Sequence, residues 1–83
     1  MIKYAVIYGQ TGTGWSAFVP DLPGLIATGA TFAEVEQLMR EGLDFHLESM
    51  LEDGDAIPEP STRVGVLETG IIEGYRARFA KSA

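Results

Sequence analysis

The sequence contains no cysteine, one histidine and one tryptophan in 83 residues. Without cysteine there is neither a disulfide framework nor a thiolate metal site, so apolar packing has to hold the domain together. A lone histidine, His46, excludes any mechanism that needs a histidine pair or cage. No apolar run approaches the roughly 20 residues of a membrane-spanning helix, and the first residues alternate too quickly for a signal peptide. A cytoplasmic protein without membrane contact is therefore expected. Bases are also scarce, six against twelve acids for a net charge of -6. Phosphate neutralisation needs clustered Lys and Arg, so direct nucleic-acid binding by this chain is not expected.

What charge there is lies unevenly. Residues 34–59 hold nine acids and one base, Arg40, whereas Arg63, Arg76, Arg78 and Lys81 follow later. An acidic middle suits a basic protein partner, although acids of this kind also simply solvate a helix face. A chain this short buries only about 60% of its unfolded surface and is marginally stable alone. Association into a homodimer, or a tetramer built from dimers, is expected.

Ile2, Tyr4, Val6 and Tyr8 alternate with other residues along a first strand, residues 2–8. A Gly- and Thr-rich turn, residues 9–14, leads to a second strand, residues 15–19. The glycines at spacing G-x-x-G-x-G do not make a phosphate cradle, because an aromatic strand follows them where a dinucleotide site needs a helix. Both faces of this hairpin carry aromatics, so each face needs a cover and the chain has one long helix to offer. Pro20 and Pro23 cannot donate to a ladder, and Gly24 supplies a permissive backbone, so V-P-D-L-P-G is a forced reversal into a short third strand, residues 25–28.

Thr31 and Glu34 are spaced as a capping box that launches a helix at Phe32. Its apolar stripe runs through Phe32, Val35, Leu38, Met39, Gly42, Leu43, His46, Leu47, Met50 and Leu51 to about Asp53, with Gly54 placed as a left-handed cap. Pro58 and Pro60 make a stiff connector. Residues 63–67 then form a fourth strand, parallel to the first across the helical connection. The expected fold class is α+β: a β-β-β-α-β domain over residues 1–68, with a mixed sheet of order 3-2-1-4 and one long helix packed on one face. Residues 69–83 are a basic, partly apolar tail. It is a short helix, a segment that docks on a neighbouring subunit with Arg76 and Arg78 near Glu41, Asp44 or Glu48, or a frayed terminus.

No catalytic, cofactor-binding or metal-ligating set emerges. His46 falls on the apolar stripe, as a packed or interfacial histidine rather than a catalytic one. Glu48 and Glu52 are carboxylates one turn apart, but no third cation ligand is placed beside them. Asp21 lies between two prolines, where it either bonds its own turn or does something more specific. Trp15 is a core residue or an interface anchor. Phe45 lies between the two faces of the helix, at the exposed edge of its overhang. Trp15, Asp21, Phe45, His46, Glu48 and Glu52 are thus the candidate partner-binding residues.

The motifs Y-A-V-I-Y, W-S-A-F-V-P-D-L-P-G, A-T-G-A-T and H-L-E-S-M-L-E-D-G-D-A-I-P-E-P together resemble the HicB-like family over residues 2–67. The resemblance implies a partial ribonuclease-H-like fold that assembles as dimers or tetramers. It also implies antitoxin function: binding and inhibiting a small basic HicA-type toxin, a ribonuclease with a double-stranded-RNA-binding-like fold that cleaves messenger RNA. Leu25 stands where the family often has cysteine after P-D-L-P-G. The 16 residues after Leu67 are too few for the DNA-binding domain of full-length relatives, so a short form is expected. Ribonuclease activity is not implied, since it needs several carboxylates converging on metal ions and the first strand has none. The alternative is a stand-alone ligand-binding or regulatory module without a toxin.

Overall fold

The computed structural model describes residues 1–79, and Lys81 of the basic tail lies outside the described residues. Three strands, β1 (Ile7–Gln10), β2 (Trp15–Phe18) and β3 (Ile26–Gly29), precede a long helix α1 (Phe32–Glu52) and a short helix α2 (Ile71–Phe79). The strands form one antiparallel sheet of order β1-β2-β3. The β1–β2 hairpin closes with the Thr11 N–H donating to the Gly14 carbonyl at 2.8 Å. The glycine-rich run is therefore a strand connection.

Two consecutive turns make the reversal between β2 and β3. The Leu22 N–H donates to the Val19 carbonyl at 3.1 Å and the Leu25 N–H to the Leu22 carbonyl at 3.3 Å. Each turn has proline at its second position, where a fixed φ is already correct. Gly24 has φ +91°, the left-handed value that the third position of the second turn demands. Leu22, between the turns, is driven inward and is almost completely buried.

Both ends of α1 are written locally. The Thr31 hydroxyl accepts from the Glu34 N–H at 3.1 Å, satisfying one of the helix's orphan donors. The Glu34 carboxylate reaches back to the Ala30 N–H at 3.0 Å, one residue before the cap that a reciprocal box would engage. At the other end Gly54 has φ +74°. Its N–H donates to the Leu51 carbonyl at 3.2 Å, and that of Asp55 donates to Met50 at 2.9 Å. This is the paired Schellman arrangement.

The core is the layer between the sheet and α1: Ala17, Val19, Leu22, Leu25, Val35 and Met39 are buried, with Leu43, Leu47 and Met50 packed around them. Gly42 lets the helix approach closely, since a Cβ there would lie 3.2 Å from Leu25 Cδ1. The other face of the sheet carries a cross-strand row, Ile7–Phe18–Ile26. Phe18 and Ile26 in that row remain exposed.

Several expectations change. The first ladder strand begins at Ile7, so residues 2–6 lie outside the ladder. Leu38 and Leu51 lie outside the core. A helix of 21 residues is about 31 Å long and overruns strands of four residues, so only the arc through Val35, Met39 and Leu43 meets the sheet. Among the described residues the fourth strand and the order 3-2-1-4 are not formed: residues 63–67 have no ladder partner, and the sheet has three strands. The reason lies in Ser61 and Thr62, which are held beside the end of β2, as described below. The chain leaves the domain from that point. Its radius of gyration is 17.9 Å, against roughly 12 Å for a compact chain of this length.

Candidate functional site

Asp21 does not bond its own turn. Its Oδ2 accepts from the N–H groups of Ser61 (2.9 Å) and Thr62 (3.0 Å), and its Oδ1 from the hydroxyls of Thr62 (2.8 Å) and Ser61 (3.1 Å). Four donors converging on one carboxylate favour its ionised form. The two backbone N–H bonds, that of Thr62 first, lower its pKa from 3.8 to about 2. The Tyr4 hydroxyl donates to the Pro58 carbonyl just upstream. Together these bonds fasten the connector after α1 to the segment preceding β1 and to the turn after β2. Asp21 is thus a structural clamp.

His46 is half-buried with its Cε1 4.0 Å from the point where a Gly24 Cβ would stand, so it packs against the P-D-L-P-G reversal. Trp15 is also structural. Its ring meets Phe32 edge-on at 5.3 Å between centroids, and Tyr8 lies 4.7 Å from the same Phe32 ring. These three aromatics seat the first turn of α1 on β1 and β2.

Phe45, Glu48 and Glu52 do gather. Steps of three and four residues place Glu34, Leu38, Glu41, Phe45, Glu48 and Glu52 along one line of α1. All six are exposed, Phe45 at 72%. The line is about 27 Å long and has no base on it. Leu38 was masked in the sequence by the apolar periodicity, which assigns it to the core. Its place between Glu34 and Glu41 was the signal that pointed outward. The acids at the end of this line also oppose the helix's own dipole, and no basic residue lies in the last turn. Negative partial charge from the terminal carbonyls adds to Glu48, Glu52 and Asp53 there. The stripe can therefore attract a cationic surface and offer two apolar anchors to it. Among the described residues no group of three metal-ligating side chains converges.

The chain thus combines a three-stranded antiparallel sheet under one long helix with an exposed acidic and apolar stripe. The family model for the HicB_like antitoxin of bacterial toxin–antitoxin systems matches residues 4–70. The chain belongs to that family. It is 34% identical over 56 residues to an uncharacterized 14.9 kDa protein in the rep-hol intergenic region of Haemophilus phage HP1 (strain HP1c1), covering 68% of this chain and 42% of that protein. The chain thus spans less than half the length of this relative. Among solved structures it resembles a chain of a HicA3 and HicB3 toxin-antitoxin complex, with a TM-score of 0.60 and 22% identity over 94% of this chain and 84% of that one. That likeness is one of fold. No helix among the described residues is long and apolar enough to cross a membrane.

Proposed function

We propose that this protein neutralises a HicA-type, messenger-RNA-cleaving toxin by direct contact, and that the Glu34–Leu38–Glu41–Phe45–Glu48–Glu52 stripe of α1 is the surface that meets it. The observation that carries this reading is an acidic line interrupted by two exposed apolar side chains on a chain of the HicB-like family. Opposed charge steers a basic ribonuclease to the surface, and Leu38 and Phe45 supply the desolvated contacts from which most binding energy comes. The protein acts by binding and not by chemistry, in the cytoplasm and as a homo-oligomer.

Co-expression with any short basic protein found encoded beside this gene tests the proposal. The wild-type chain rescues growth and co-purifies with the toxin. Phe45→Ala weakens binding by about tenfold or more, as loss of an interface anchor does. It leaves the melting temperature within about 2 °C, since an exposed substitution changes stability little. Rescue by Leu38→Ala/Phe45→Ala/Glu48→Lys at wild-type level rejects the stripe as the site. Failure of the wild type to bind any adjacent basic protein rejects the antitoxin reading and favours a stand-alone binding module.

A further inference from the structure

Two features of the chain are unmet and complementary. The first is the outer edge of β1, which pairs with β2 on one side only. Beside it, between β1 and α1, lies a groove of about 210 Å³ floored by Val6, Tyr8, Met39 and Leu43 and rimmed by Glu36 and Arg40. A free edge with an apolar groove under it is a receptacle for one more strand. The second feature is the arm that begins after Thr62. In R-V-G-V-L, Val64 and Val66 share one face of an extended strand, with Gly65 between them on the other. Among the described residues no backbone hydrogen bond joins residues 63–69 to the sheet or α1. Val66 is 89% and Leu67 95% exposed. Among the described residues α2 makes no packing contact with the strands or with α1, and Ile71 and Ile72 lie open on it.

We propose that the arm of one copy enters the groove of a second copy, so that residues 63–67 complete the partner's sheet as a strand beside β1, and the exchange is reciprocal. Three observations select a second copy as the occupant. Thr62 is clamped by Asp21 and the arm runs outward from it, so the chain does not fill its own groove. Donor and receptacle belong to the same sequence, so two copies satisfy both features at once and the exchange closes with twofold symmetry. The surface area is 6848 Å², whereas a compact monomer of this mass exposes roughly 4,900 Å². The excess of roughly 2,000 Å² per chain, about 4,000 Å² for two copies, falls in the range that obligate dimers bury in total. Charge is compatible: residues 63–79 carry Arg63, Arg76 and Arg78 against Glu68 and Glu73, a small positive excess brought to a body rich in acids. The exchange leaves the Phe45 stripe open, because the groove lies on the opposite flank of α1. It does not depend on the antitoxin reading.

The absence of native cysteine makes a direct test available. A full-length chain carrying Arg40→Cys is mixed and refolded with an isotope-labelled chain carrying Val66→Cys, then treated with a short thiol-reactive bifunctional reagent. A heavy–light dimer linked from position 40 to position 66 is expected. The double variant Arg40→Cys/Val66→Cys on one chain tests self-closure, and a link within a single chain overturns the proposal. Absence of any 40-to-66 link overturns it as well, leaving the arm to some other partner. Light scattering gives an independent reading. The wild type has twice the 9.0 kDa chain mass at tens of micromolar. Val66→Asp, at a site exposed in the single chain, associates at least tenfold more weakly, because a carboxylate enters an apolar groove. A wild type of single-chain mass, or an unchanged dimer with Val66→Asp, refutes the exchange.

Discussion

Gly14→Ala separates a glycine that the tertiary structure requires from its neighbours in the same glycine-rich run. A Cβ built on Gly14 would lie 2.2 Å from the Gly29 carbonyl oxygen and 3.0 Å from the Ala30 Cα. Both obstacles are backbone, at the end of β3, and cannot rotate aside as a flexible side chain does. The start of β2 and the end of β3 must separate by close to an ångström, against the Trp15–Gly29 register. Overpacking of this kind costs about 1–3 kcal/mol. A domain of this size loses about 4–8 °C of melting temperature per kcal/mol, so a fall of roughly 5–20 °C is expected. Gly12 is the matched control: its added Cβ meets nothing within 4 Å, and its φ is not positive. Gly12→Ala should be neutral, or stabilising by up to about 1 kcal/mol through the reduced entropy of the unfolded chain. Thermal melts followed by circular dichroism compare the two. Equal melting temperatures for the two variants refute the close approach of β2 and β3 on which the reasoning rests.

Asp21 makes stability depend on acid. Its pKa is about 2 in the fold and near 3.8 otherwise, so folding favours the ionised form. The contribution is complete above about pH 4 and is lost as pH falls towards 2. Asp21→Asn should melt below the wild type at pH 7, with the gap closing between pH 4 and 2; a constant gap in denaturation midpoints across that range contradicts the clamp. At the end of α1, Gly54→Ala forces a side chain into φ +74° with no steric contact to blame. It should cost about 1–2 kcal/mol in chemical denaturation, and an unchanged midpoint would show that the Schellman turn relaxes freely.

What the sequence by itself determined is what short-range physics controls. Pro20, Pro23 and Gly24 set two turns through fixed φ and a left-handed position, Thr31 and Gly54 set the ends of α1, and the small residues from Gly9 to Gly14 set the hairpin. Each involves groups a few residues apart, so residue type and spacing suffice. The acidic and apolar stripe was half legible: Phe45, Glu48 and Glu52 were readable as surface, but Leu38 carried the period of a core residue. Its exposure follows from the sheet's short strands, a width that the helix's own sequence does not encode. The tertiary structure alone decided the rest. Asp21 meets Ser61 and Thr62 across 40 and 41 residues, and Tyr4 meets Pro58 across 54. No local spacing announces such pairs. That clamp also decides the fate of residues 63–67. Their β-compatible pattern was plain in the sequence, but a strand needs an edge to join, and the direction in which Thr62 releases the chain determines which edge lies within reach.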